Sequence, residues 1–148
     1  MRNLAFLAPL AATLAIAGAA QAQPAEVRVS IGPDLQQKAA ELGEDEVRIE
    51  ADRLAVTVRD ALARAGALDG ARVELVLTDL RPNRPTFEQM ARRPGLDGHR
   101  SVSLGGATVE GEVITADGQR LPVRYDWYSP TLADVYGYAT WHDAERAF

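Results

Sequence analysis

The sequence predicts a single α+β domain: a mixed sheet of about four strands with one long helix packed on one face, ordered as a βαβ unit followed by a β-hairpin. Three observations carry this. Two short runs of alternating polarity flank a long helical stripe, which is the layout of a parallel crossover. A second pair of alternating runs meets at Asp117-Gly118, a hairpin signal. Residues 23–148 number 126, enough for one domain with a real core but not for two.

Glu26-Val27-Arg28-Val29-Ser30-Ile31 alternates polar and apolar, as a half-buried strand does. Gly32-Pro33 ends it, and Pro33-Asp34 opens a helix through Leu35, Ala39 and Leu42 that Gly43 closes. From Glu44 to Ala65, Val47, Ala51, Leu54, Ala55, Val58, Ala61, Leu62 and Ala65 recur at steps of three and four. The alternation Leu54, Val56, Val58 also suits a strand, but the helical stripe continues on both sides of that window. The pairs Glu44–Arg48, Arg48–Asp52 and Asp60–Arg64 lie four apart on the wetter sides, Ile49 and Val56 read as flanks, and Gly66 is a stop.

Arg72 to Leu80 is a second strand with Val73, Leu75 and Leu77 on one face. Residues 81–100 contain three prolines and read mostly as loop. Within them Thr86-Phe87-Glu88-Gln89 has the spacing of a capping box, which predicts a short helix ending near Arg93. Ser101–Thr115 and Gln119–Tyr128 follow as strands. The apolar parity changes at Gly105-Gly106, which predicts a β-bulge there, with close approach to a ligand as the alternative. A three-residue loop Ala116-Asp117-Gly118 sets Val113, Gly111, Val109 and Ala107 opposite Leu121, Val123, Tyr125 and Trp127, joining all four pairs on one face. It requires positive φ at Gly118 and Thr115 opposite Gln119. Thr140 to Phe148 reads as the beginning of a helix, which must dock through Trp141 and Phe148 or fray.

Residues 1–22 have the three-part layout of a secretory signal peptide. Arg2 supplies a positive start, Leu4 to Ile16 an apolar run, and Ala20-Gln21-Ala22 a small-residue cleavage site that would expose Gln23. The expected address is periplasmic or secreted. There is no cysteine, so neither a disulfide framework nor lipidation is expected, and no transmembrane segment is expected in the mature chain.

Arg84-Pro85-Thr86-Phe87-Glu88-Gln89, Pro94-Gly95-Leu96, Gly105-Gly106-Ala107, Gly111-Glu112, Ala116-Asp117-Gly118, Trp127-Tyr128 and Thr140-Trp141 occur in that order. In this the chain resembles small uncharacterised exported proteins of Gram-negative bacteria, domains of unknown function that include lipoproteins. The resemblance implies export and a compact α+β fold, with no activity, cofactor or catalytic residue. This chain differs from the lipoprotein members in lacking the lipidated cysteine.

Chemistry-bearing patterns are sparse. None of Ser30, Ser101, Ser103 or Ser129 sits in a nucleophile elbow, and phosphate-loop and dinucleotide patterns are absent, so no cofactor is expected. His99 and His142 are the only histidines, and His142, Asp143 and Glu145 make a weak cluster read as a helix start rather than a metal site. Glu110 and Glu112 share a strand face. With Asp126 they are the candidate acids of an alternative reading, a small hydrolase acting on an envelope polymer.

A net charge of −5 argues against general nucleic-acid binding. The sign reverses locally in 81–100, where Arg81, Arg84, Arg92, Arg93 and Arg100 face only Glu88 and Asp97. These arginines are the candidate ligand-binding residues of a non-enzymatic periplasmic or envelope-accessory protein. The expected partner is an anionic envelope ligand or an acidic protein. The competing role is bracing of the loop through Asp79, Glu88 and Asp97. A third reading is a structural subunit that oligomerises through a sheet edge. A concave loop favours the first reading, a cleft joining two carboxylates the hydrolase, and an exposed apolar edge the third.

Overall fold

The structure is a computed structural model that describes residues 23–135 and 139–148. The signal-peptide reading of residues 1–22 therefore lies outside the described residues. The element order is β1 (Glu26–Ile31), α1 (Pro33–Leu42), α2 (Glu44–Ala65), β2 (Arg72–Arg81), α3 (Phe87–Arg92), β3 (Gly106–Ile114), β4 (Arg120–Tyr128) and α4 (His142–Ala147), with one 3-10 turn at Leu132–Asp134. The sheet order is β1-β2-β3-β4. β1 and β2 are parallel, and β2, β3 and β4 run antiparallel to their neighbours. The predicted α+β class, with a βαβ unit followed by a hairpin, is the fold observed.

One face of the sheet is covered and the other is open. Val27 of β1, Val73, Leu75 and Leu77 of β2, and Ala107, Val109 and Val113 of β3 form one core with Leu35, Ala39 and Leu42 of α1 and Val47, Ala51 and Leu54 of α2. The covering layer is larger than the one long helix expected, because α1 and α4 also join it. Trp141, Ala144 and Ala147 of the last segment are buried in the same core. Apolar burial of this kind offsets the marginal intrinsic stability of so short a helix. Ile49 and Val56, off the α2 stripe, are exposed flanks. Arg48 pairs with Asp45, three residues back, at 2.8 Å, not with Glu44 or Asp52.

The hairpin has the predicted register. Val113 faces Leu121, Gly111 faces Val123, Val109 faces Tyr125 and Ala107 faces Trp127. Thr115 N–H donates to Gln119 O at 2.9 Å, and Gly118 has φ +86°.

The bulge is elsewhere than expected. β3 begins only at Gly106, so residues 101–105 are not strand, and the pairing of β3 shows no register shift at Gly105-Gly106. The shift lies in β2 between Leu77 and Asp79. The extra residue, Thr78, lets Leu77 and Leu80 both reach the core while Asp79 turns to the open side. Gly105 serves a different purpose. A Cβ there would lie 2.6 Å from Asn83 Oδ1, so the close approach is to the protein's own side chain and not to a ligand.

Candidate functional site

Between β2 and β3 the chain leaves the sheet and returns as a braced loop. The Thr86 capping box is formed: Gln89 N–H donates to Thr86 Oγ1 and Thr86 N–H donates to Gln89 Oε1, both at 3.1 Å. Asp97 Oδ1 accepts from the backbone N–H groups of His99 at 2.7 Å and Arg100 at 2.9 Å. Those two hydrogen bonds hold its carboxyl below the usual range of 3.8. Ser103 donates to Pro82 O at 2.6 Å, and Ser103 N–H donates to Asn83 O at 2.9 Å. Asn83 is the inner anchor, buried together with Asp143 of α4.

This folding leaves a cavity of about 340 Å3 in the loop. Its walls are mainly Pro82, Pro85, Leu96, Val102 and Leu104, and Arg81 and Arg93 are the charged residues that line it. Of the five arginines singled out in the sequence, the structure brings these two together there. Arg84 donates to His99 O, Arg92 pairs with Glu88, and Arg100 has an exposed side chain with no ion-pair partner among the described residues.

The two cavity arginines are held differently. Arg81 Nε donates to Asp79 Oδ2 at 2.9 Å, and its guanidinium lies 4.6 Å from the centroid of the Tyr128 ring. Asp79 is the hub, bonded also by Lys38 Nζ at 2.8 Å and Tyr128 OH at 2.9 Å. Because the phenol donates to Asp79, the Thr108 hydroxyl 2.6 Å away must donate to the phenol. Burial raises the Asp79 pKa, but the hydrogen bonds from Lys38 and Tyr128 and the charges of Lys38 and Arg81 outweigh it and hold the carboxyl below 3.8. Burial, and then the Asp79 carboxylate, push the Tyr128 phenol above 10.0. Arg93, by contrast, pairs among the described residues only with Glu41 of α1, and that pair is exposed.

Bracing therefore uses Asp79 and Glu88 as expected. Asp97 forms no ion pair among the described residues, its main contacts being the backbone N–H groups of His99 and Arg100, and the charge of Arg84 acts on it as a smaller contribution. Lys38, Glu41, Thr108 and Tyr128 were missed by sequence reading, since each reaches the loop from another element and carries no local motif.

The candidate hydrolytic acids stand on the open face of the sheet. Glu110 pairs with Arg124 at 3.2 Å, Glu112 pairs with Arg120, and Asp126 is exposed. His142, Asp143 and Glu145 do not converge, since Asp143 is taken by Asn83 and Glu145 by Arg53. Among the described residues no group of three or more His, Asp or Glu could hold a metal ion, and no helix is long and apolar enough to cross a membrane.

No protein-family model matches the chain, and no curated protein does either.

Proposed function

We propose that the protein is a non-enzymatic binding or accessory protein of the bacterial envelope, periplasmic or secreted, that captures an anionic partner at the loop between β2 and β3. The observation that carries this reading is the loop cavity with Arg81 and Arg93 among the residues that line it. Guanidinium pairs with carboxylate and phosphate in a planar fork, and cavities are where small partners are held. The address rests on the three-part layout of residues 1–22.

The rival readings have weaker support. Glu110 and Glu112, each neutralised by an arginine of β4, behave as the solvent face of a hairpin. The β4 edge exposes Leu121 and Tyr125, but Pro122 interrupts its row of backbone donors and discourages strand addition.

Two experiments test the proposal. Protein recovered from the periplasm should begin at or near Gln23, and an intact Met1 there would remove the basis for export. A photo-crosslinker at Leu104 should capture a discrete partner in cells, and Arg81→Gln with Arg93→Gln should abolish that capture. Equal capture by the double variant would overturn the reading.

A further inference from the structure

We infer that the occupant of the loop cavity is a small amphiphilic anion, with one carboxylate or phosphate head on a short apolar body, whose head replaces Glu41 on Arg93. This rests on the reading of the loop as a capture site and names the chemistry it selects.

The walls decide the body. Pro82, Pro85, Leu96, Val102 and Leu104 present apolar surface, and two of the five are rigid rings. Several polar atoms on the wall are already engaged by the loop itself. Gln89 Oε1 accepts from Thr86, Ser103 Oγ donates to Pro82 O, and Ser101 Oγ accepts from Asp97 N–H at 3.0 Å. A ligand that needs many hydrogen bonds, such as a sugar, finds few free partners here. An aliphatic or flat apolar body loses no hydrogen bonds on entry and gains from leaving water.

The two arginines decide the head and where it sits. Arg81 is fixed by Asp79 and stacked on Tyr128, so moving it would leave the Asp79 hub short of a cation. Among the described residues the Arg93 side chain pairs only with Glu41, and both side chains of that pair are exposed, at 61% and 44%. Exposed pairs are worth little, so an incoming anion displaces this carboxylate at small cost. Glu41 does not itself line the cavity, so the head would meet Arg93 at the cavity's rim, in place of this carboxylate.

Variants at Glu41 and Arg93 should then move affinity in opposite directions. The probe is octyl phosphate below its micelle-forming concentration, titrated calorimetrically into protein comprising residues 23–148, with inorganic phosphate, octanol and phosphatidylglycerol vesicles as parallel arms. Octyl phosphate should bind at least about ten-fold tighter than inorganic phosphate, because burial of only two methylenes suffices for that factor, and at least about ten-fold tighter than octanol, because only the phosphate can pair with Arg93. Glu41→Gln should tighten octyl phosphate about two- to five-fold. Arg93→Gln should weaken it by about ten-fold or more, with melting temperatures of both variants unchanged.

Inorganic phosphate binding as tightly as octyl phosphate would overturn the amphiphile inference while leaving anion capture intact. Octanol binding as tightly, unaffected by Arg93→Gln, would overturn both. Binding to vesicles alone would assign the patch to a membrane surface, and no binding in any arm would remove this ligand class. Either outcome overturns the inference and leaves the crosslinking result to decide the function. A Glu41→Gln variant that binds no tighter than the parent would overturn the exchange.

Discussion

Asn83 and Asp143 hold each other in two directions. Asn83 Oδ1 accepts the backbone N–H of Asp143 at 2.8 Å, and Asn83 Nδ2 donates to the Asp143 carboxylate. Both residues are 0% exposed. The pair ties the loop after β2 to the first turn of α4, and Asn83 N–H donates to Thr140 O at 2.7 Å to reinforce the same junction. Asn83→Ala would leave a buried carboxylate without its donor, so it should cost about 2–4 kcal/mol of unfolding free energy in urea. A loss below about 1 kcal/mol would mean that the junction is not held by this pair.

Gly111 offers a second test. It has φ +154°, and a Cβ there would lie 2.1 Å from Glu74 O on the paired strand. Gly118, at φ +86° in the hairpin loop, has nothing within 4 Å of its Cβ position. Gly118→Ala should therefore cost only about 1 kcal/mol of backbone strain. Gly111→Ala adds a steric clash in the middle of the sheet and should cost about 3 kcal/mol or more. Equal melting temperatures for the two variants would contradict this account of β2–β3 pairing.

The two arginines at the end of α3 and just after it should behave in the opposite way from Asn83. Arg92 and Arg93 are exposed and pair with Glu88 and Glu41, also at the surface. Reversing both to Glu should change the unfolding free energy by less than about 1 kcal/mol, since exposed pairs contribute little. Capture at the loop should nonetheless be lost, because Arg93 lines the cavity. A drop in stability comparable to that of Asn83→Ala would make these arginines braces instead of ligand groups.

Local pattern explains which features were legible in the sequence. The hairpin register followed from period-2 polarity and a three-residue turn, and the α3 start from the capping box, because both are set within ten residues. The loop cavity was legible only as a charge reversal, since its walls come from residues that no periodicity links. The β2 bulge left a trace: Val73, Leu75 and Leu77 are odd, whereas Leu80 is even. The Asn83–Asp143 junction left none, because its partners are 60 residues apart and each looks like an ordinary polar loop or helix residue. Glu50 could have been found, for it sits on the apolar stripe of α2 between Val47 and Leu54.

That glutamate gives the protein a pH dependence of unusual sign. Glu50 is only 2% exposed, and its Oε1 accepts from Arg53 Nη1 at 2.7 Å while Oε2 has no hydrogen-bond partner among the described residues. Glu46 lies one turn back on α2 and accepts from Trp141 Nε1 at 2.9 Å, and Glu145 of α4 shares Arg53. Burial, only partly offset by Arg53 and reinforced by the charges of Glu145 and Glu46, raises the Glu50 pKa from 4.5 to about 7. Between those values the folded chain keeps a proton that the unfolded chain has lost. The stabilisation is therefore complete at the acid end and fades as pH rises through 7, by up to about 1.4 kcal/mol per unit. The carboxyls held low, Asp79, Asp97 and Asp117, act only near and below 3.8 and leave this window clear. Urea unfolding should accordingly show greater stability at pH 5.5 than at pH 8. Glu50→Gln, neutral throughout, should flatten that slope and be the more stable protein at pH 8. If parent and variant fall in parallel between pH 5.5 and 8, the proton resides on some other group.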